Sequence, residues 1–431
     1  MTPIVSIILP SLNVAEYIEE CIKSATAQTL DAIEIIIIDA GSTDGTWEIE
    51  QQYASKDARI VLLQSEKKSY GYQCNQAIER SRGEYIAILE TDDYVVPEMY
   101  ERLYSVAQAH NLDYVKADCD TYYEQKNGER FFWHRKSFGR NDLYDRELTP
   151  RKIPEIPIGD WYLWQGIYRK SSLEKWQIRF NESKGAAYQD IGFLCQTTAR
   201  AEKAMYLRDS LYRYCIGRAE ASSNLGRGLI NAKGEYERIL TMMEGEQDSD
   251  VMRSVFIRMV KSFVLSYNEI RDMGDIDDQE GRREQYCWFC DQLSSVIEKG
   301  LITEDNFSGD WWEKMQLLLK SEDAFWEVCK SSLQRLTEKI NQPEQYHLVI
   351  FGCGNEGLVA YRQLTKAGYP VDAFMDNNSA LWGNSFDGIP ILQPAEENLN
   401  EEQVIIIANE LRKNDIHDQL LSLGVKDDRI V

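Results

Sequence analysis

Tyr85-Ile-Ala-Ile-Leu-Glu90-Thr-Asp-Asp93 is an apolar run that stops at a cluster of carboxylates. Tyr85 to Leu89 carries no charge, the pattern of a strand buried on both faces of a parallel sheet. Open α/β sheets bind ligands in the crevice beyond the carboxyl ends of their strands, so Glu90, Asp92 and Asp93 fall where chemistry is expected. Asp92 and Asp93 offer hard oxygen donors that suit Mg²⁺ or Mn²⁺ held against a diphosphate. A solvated acidic loop is the plainer reading of the same residues.

The residues before this strand repeat one unit. Val5 to Leu9 reads as a strand closed by Pro10-Ser11-Leu12-Asn13, and residues 16 to 28 follow with Tyr17, Ile18, Cys21 and Ile22 on one helical face. Ile33 to Ile38 is a second buried strand that ends at Asp39, before the turn-rich Ala40-Gly41-Ser42-Thr43-Asp44-Gly45 and another helix. Arg59 to Leu63 is a third strand and Tyr72 to Arg82 a helix. This alternation predicts a doubly wound α/β sheet with its loops gathered at the carboxyl edge.

Composition narrows the function classes. At 431 residues the chain is too long for one ordinary core. Hydrophobic residues at 43% and charged residues at 28% describe a globular protein. A net charge of -23 argues against nucleic-acid binding, which needs basic surface. No signal-peptide pattern is visible at the start and no apolar run approaches the ~20 residues of a membrane helix, so a cytoplasmic protein is expected. That expectation leaves room for peripheral association with the inner face of the membrane and for a homo-oligomer. The nine cysteines are scattered, as reduced thiols would be, and Cys287-Trp-Phe-Cys290 is expected to be buried and structural.

Together, Pro10-Ser11-Leu12-Asn13, Asp39 to Asp44, Tyr70-Gly71-Tyr72-Gln73-Cys74-Asn75, Gly83-Glu84-Tyr85 and Glu90 to Asp93 resemble family 2 glycosyltransferases of the GT-A fold, over roughly residues 3 to 225. The order and spacing of these pieces carry the resemblance. It implies a nucleotide-sugar donor site built from Pro10, Asn13, Asp39, Ser42, Tyr70, Gly71, Asn75, Thr91 and Asp92, with Asp39 on the base of a UDP-sugar. It implies a Mn²⁺ or Mg²⁺ ion on Asp92 and Asp93. Ala40 and Glu90 depart from the family's more usual aspartates. Independently of the family, a sugar diphosphate needs its leaving-group charge neutralised, which a cation at Asp92 and Asp93 would do. Lys67 and Lys68 are candidates for the same phosphates, with exposed lysines as the plainer reading.

Residues 120 to 225 are expected to complete the site. Gln189-Asp190 matches the family's acidic pair at a helix start, which implies Asp190 as general base with Gln189 beside the acceptor; a helix cap is the competing reading. Trp161 and Trp164 suit stacking on an acceptor sugar, or are buried aromatics. Leu207 to Tyr214 reads as a closing strand, with Arg213, Arg218, Ser222 and Ser223 as a lid.

Residues 226 to 343 change to a helical pattern, clearest where Met252, Val255, Phe256, Met259, Val260, Phe263, Val264 and Tyr267 recur at three- and four-residue spacing. More helices are expected at 281–299, 311–320 and 323–340. Residues 344 to 431 open a small Rossmann-like unit: strand His347 to Phe351, then Gly352-Cys353-Gly354-Asn355-Glu356-Gly357, a helix, and a strand ending at Asp376. Gly352, Gly354, Gly357 and Asp376 are thus a candidate second nucleotide site, with a purely architectural role equally open.

The expected fold is therefore α/β: a GT-A type domain over 1–225, a helical middle region over 226–343 and a Rossmann-like domain over 344–431. The expected function is inverting, metal-dependent transfer of a sugar from a nucleotide donor to a glycan or lipid-linked acceptor in cell-surface polysaccharide synthesis. The rivals are an NAD(P)-dependent sugar-modifying enzyme and a non-catalytic nucleotide-sugar-binding scaffold.

Overall fold

Val5–Ser11 (β1) and Ile33–Asp39 (β2) are buried at every position, as expected of apolar strands covered on both faces. The computed structural model describes residues 2–186, 188–216, 228–273, 279–409 and 412–431. They form two compact units. The first takes in 1–123, 132–263 and 278–308, and the second 124–131, 264–277 and 309–431.

In the first unit β1 and β2 are joined by Ile60–Gln64 (β3) and Tyr85–Ile88 (β4), all parallel, in the order β3-β2-β1-β4. The helices between them are Ile18–Thr26 (α1), Thr46–Ala54 (α2) and Tyr70–Arg80 (α3). This half matches the alternation read from the sequence, because each strand and helix there is specified by its own periodicity. The other half of the sheet departs from it. Tyr94–Val95 (β5) follows the acid loop and Met99–His110 (α4) leads to Tyr114–Glu124 (β6), Arg130–Arg135 (β7), Gly166–Arg169 (β8) and Ala204–Cys215 (β9). The order continues β4-β8-β6-β9-β5, with β7 on β6. Strand β8 runs antiparallel to both β4 and β6, and β5 antiparallel to β9. The sheet is therefore mixed, with its parallel half carrying the acid loop.

Short helices Glu155–Gly159 (α5) and Lys170–Lys175 (α6) flank β8. Gln189–Arg200 (α7) packs against Gly228–Met242 (α8), which in turn meets Gln279–Glu298 (α10); Ser249–Met273 (α9) lies between the last two in sequence. On α9 the residues Val255, Met259, Val260 and Phe263 are fully buried, as their spacing predicts.

In the second unit 323–340 is not one helix. Trp311–Lys320 (α11) and Glu322–Val328 (α12) precede Ser332–Lys339 (α13), and Ser331 starts the last with a capping box to Gln334. The second sheet holds His347–Phe351 (β10), Val371–Met375 (β11), Ser385–Phe386 (β12), Ile389–Leu392 (β13) and Gln403–Ile407 (β14), ordered β12-β13-β11-β10-β14. Asn355–Lys366 (α14) follows β10 and Lys413–Ser422 (α15) follows β14. The 124–131 hairpin tip belongs to this unit: Lys126 N–H donates to Asp387 and Phe131 meets Phe386 edge-on. Among the described residues no disulfide is formed; Cys287 is exposed and Cys290 half-buried, so that pair is not buried as expected. No helix among the described residues is long and apolar enough to cross a membrane.

Candidate active site

β4 delivers its chain directly into the acid loop. The Tyr70 hydroxyl, from the first turn of α3, donates to Glu90 Oε1 at 2.6 Å. Burial, opposed by the Tyr70 bond and aided by the charges of Asp92 and Asp190, pushes the Glu90 carboxyl up to about 8. Asp190 thus acts on Glu90 although it lies some hundred positions away in sequence. Asp190 occupies the first turn of α7, after Tyr188 in the left-handed conformation at φ 70°. Burial raises its carboxyl above the usual range, and the Arg258 charge on α9 opposes this.

The acid at the end of β2 is held differently. Asp39 is 1% exposed, and its Oδ1 accepts from the Gly41 and Ser42 amides at 2.8 and 3.0 Å. Its Oδ2 accepts from the Ser42 hydroxyl. Ser42 Oγ in turn accepts from Asn13 N–H, and Asn13 Oδ1 accepts from Thr43 N–H, both at 2.8 Å. Thr91 donates to the Pro10 carbonyl at 3.1 Å. Asp39, Ser42 and Asn13 thus brace the loops after β1 and β2 together, while Pro10 and Thr91 fix the acid loop to β1.

Other expected site residues are spent on packing. Asp93 is 2% exposed; its oxygens accept from the Tyr212 hydroxyl at 2.9 Å and the Cys215 amide at 3.0 Å. Burial holds it well above the ordinary carboxylate range, with the Asp92 charge adding. It ties the acid loop to β9. Asn75 forms a closed pair with the Phe180 backbone, accepting from its N–H at 2.9 Å and donating to its carbonyl at 3.0 Å. Gln189 donates to Ser183 Oγ at 2.9 Å and to the Gly185 carbonyl. Trp164 is stacked on Tyr212 at 4.0 Å and Tyr162 at 4.5 Å, so its ring does not offer a sugar platform. On Trp161 the Lys261 ammonium sits 3.9 Å from the ring centroid. Gly71 is required by packing, since a Cβ there would lie 1.8 Å from the Asn181 carbonyl oxygen.

Lys67 pairs with Glu182 at 3.1 Å, and Arg213 with Asp120 at 3.2 Å, so neither cation is held for a phosphate. Arg218, Ser222 and Ser223 lie outside the described residues. Sequence reasoning passed over Gln73, whose amide donates to the carbonyls of Ser11 and Ile38 and clamps the ends of β1 and β2. It also missed Tyr212, which accepts from Glu90 N–H at 3.3 Å while holding Asp93. A glutamine on a buried helix face was the available signal for the first; nothing local marks the second.

In the second sheet the glycine turn is filled by its own backbone. Gly352 has φ 108° and its absent Cβ would meet the Ala408 carbonyl at 2.8 Å; at Gly357 a Cβ would meet the Gly352 carbonyl at 2.0 Å. Gly354 precedes α14 as its cap residue. Asp376 accepts from the amides of Cys353 and Asn378, both at 2.8 Å, so its carboxylate closes the turn.

Among the described residues no group of three or more His, Cys, Asp or Glu has metal-holding geometry. A Mg²⁺ or Mn²⁺ ion shared with phosphates needs only one or two protein carboxylates. Asp92 and Glu90 meet that count, while each Asp93 oxygen already accepts one hydrogen bond and the residue is 2% exposed.

This mixed sheet, with acids gathered at the carboxyl edge of its parallel half, has a GT-A type fold. Residues 6–177 match the model of Glycosyl transferase family 2, and residues 344–431 match the model described as C2185-like, N-terminal. The chain is 34% identical over 215 residues to the uncharacterized glycosyltransferase EpsJ of Bacillus subtilis, covering 50% of this chain and 61% of EpsJ. It is 28% identical over 291 residues to glycosyltransferase GlyG of Streptococcus pneumoniae, covering 64% of this chain and 94% of GlyG. The crystal structure of S. aureus TarS 1-349 in complex with UDP-GlcNAc superposes with a TM-score of 0.58 at 18% identity, over 78% of this chain and 92% of that one.

Proposed function

We propose that the chain is an inverting, metal-dependent glycosyltransferase that moves a sugar from a UDP-sugar to a glycan or lipid-linked acceptor in cell-surface polysaccharide synthesis. One observation carries the reading: Glu90 and Asp92 at the end of β4 share a site with Asp190 at the start of α7. The first two suit the diphosphate side of a donor and the third suits the acceptor side. The UDP-GlcNAc complex of TarS and the bacterial glycosyltransferases among the relatives support the choice of donor and setting.

Asp92, with Glu90, would hold Mn²⁺ or Mg²⁺, which when bound supplies positive charge to the leaving diphosphate. Asp190 takes the acceptor hydroxyl's proton as that oxygen attacks the anomeric carbon opposite the diphosphate. Its raised proton affinity makes it a stronger base than an exposed aspartate. Asp39 lies at the base end of the donor, and Tyr70 orients Glu90. Residues 1–225 form the proposed transfer domain, with 226–343 and 344–431 as separate helical and α/β domains. The closed glycine turn at Gly352 disfavours the dehydrogenase reading.

The test is a panel of nucleotide sugars, read by release of the nucleoside diphosphate with Mn²⁺, for wild type and Asp190→Asn. Asparagine preserves size and capping but accepts no proton at neutral pH. Turnover should fall by at least about a hundredfold with UDP affinity unchanged. Near-wild-type turnover in Asp190→Asn refutes the base, and no turnover of any donor by wild type refutes the activity.

A further inference from the structure

Glu235, on α8, is 2% exposed and touches both sides of the candidate site. Its Oε1 accepts from Asn181 Nδ2 at 2.8 Å. Its Oε2 has no hydrogen-bond partner among the described residues and rests on α7, where a Cβ on Gly192 would lie 2.1 Å away. Gly192 is two positions after Asp190. Asn181, for its part, lays its carbonyl on Gly71, the neighbour of Tyr70. One carboxylate therefore seats the helix that carries Asp190 and also the segment against which the Tyr70 turn packs.

A buried acceptor without a partner costs about 1–3 kcal/mol. A side chain needed only for packing would avoid that cost by being apolar. We propose that Glu235 is a positioning residue for Asp190, setting the first turn of α7 through Gly192 and matching it to the Tyr70 turn through Asn181. The inference rests on the reading of Asp190 as the base.

Charge supports the geometry. Burial pushes Glu235 up to about 7, with Asn181 and Arg238 opposing and Asp190 adding. The charged and titratable groups around it are Asp190 and Cys195 on α7 and Arg238 and Tyr236 on α8, while Arg258 on α9 acts on Asp190. Because the two acids repel, the Asp190 charge raises the proton affinity of Glu235.

The experiment uses the full chain and the nucleotide sugar from the panel that wild type hydrolyses fastest. Glu235→Gln keeps volume and the acceptor for Asn181, so kcat should stay within about threefold. Glu235→Ala should lower kcat at least tenfold with the donor KM within about twofold. Gly192→Ala should lower kcat similarly in wild type and add little in the Glu235→Ala background, where the methyl group has room. Wild-type kcat in both Glu235→Ala and Gly192→Ala overturns the proposal and leaves Glu235 as packing. Should Glu235→Ala not fold, Gly192→Ala decides. If wild type hydrolyses no donor, the ¹³C carboxyl titration of Glu235, assigned by its loss in Glu235→Gln, is read instead: it should move to lower pH in Asp190→Asn, and no shift overturns the positioning role. Full turnover in Asp190→Asn fails the base reading instead, separately from Glu235.

Discussion

Asp92 and Asp93 are adjacent and chemically identical, yet their surroundings give them different work. Asp93 receives a hydroxyl and an amide from β9 and is closed off, whereas Asp92 is half-buried beside Glu90. Asp92→Asn should therefore abolish Mn²⁺-dependent UDP binding in calorimetry while leaving the urea midpoint in place. Asp93→Ala strands two donors and should cost about 3 kcal/mol in urea unfolding. The opposite pattern would exchange the two roles. Glu50 adds a pH dependence: it is fully buried, neither oxygen has a hydrogen-bond partner among the described residues, and burial pushes it up to about 8, with Asp39 and Asp44 adding. In the unfolded chain it ionises near 4.5. The folded state thus favours the protonated form, and stability present below pH 4.5 is lost as pH rises toward 8. Glu90 and Glu235 are raised in the same sense. Urea unfolding at pH 5 and pH 8 should show wild type weaker at pH 8, with Glu50→Gln reducing that difference; an unchanged difference would refute the assignment.

At the scale of elements, α3 and the 178–182 segment are fitted backbone to backbone. Asn75 grips Phe180 at both its N–H and its carbonyl, and Gly71 admits the Asn181 carbonyl. Gly71→Ala forces the two apart and should destabilise by about 1–3 kcal/mol. It should also weaken turnover, because the Tyr70 bond to Glu90 starts from the same turn. A variant with wild-type melting and turnover would mean that the segment yields freely. The elements also show where periodicity reads poorly. The pattern over 323–340 continues through Cys329 to Ser331, but the Ser331 capping box starts a new helix there. Strands β5 and β8 are only two and four residues long and give no alternation to detect, and their antiparallel pairing comes from partners elsewhere in the chain.

For the whole molecule, a net charge of -23 sets a general problem for binding an anionic donor. In the site, Asp92 and Asp190 add to it, and Lys67 and Arg213 pair with Glu182 and Asp120. Donor binding should therefore depend on added cation: chelation with EDTA should weaken UDP affinity at least tenfold, and Mn²⁺ should restore it. Equal affinity with and without EDTA would remove the metal from the proposal. By itself the sequence determined the parallel half of the first sheet, the helix-rich middle and the second α/β unit, because burial on both faces and helical periodicity are written into contiguous residues. It also determined that acids stand at the ends of β2 and β4. Only the tertiary structure decided which of those acids face the crevice. It closed Asp93 with Tyr212, turned Asn75, Gln189 and Trp164 inward, and brought Glu235 from the helical region to the base of α7. The reason is that a side chain's partners come from segments far away in the chain, so its environment, and with it its proton affinity and accessibility, exists only after those segments have packed.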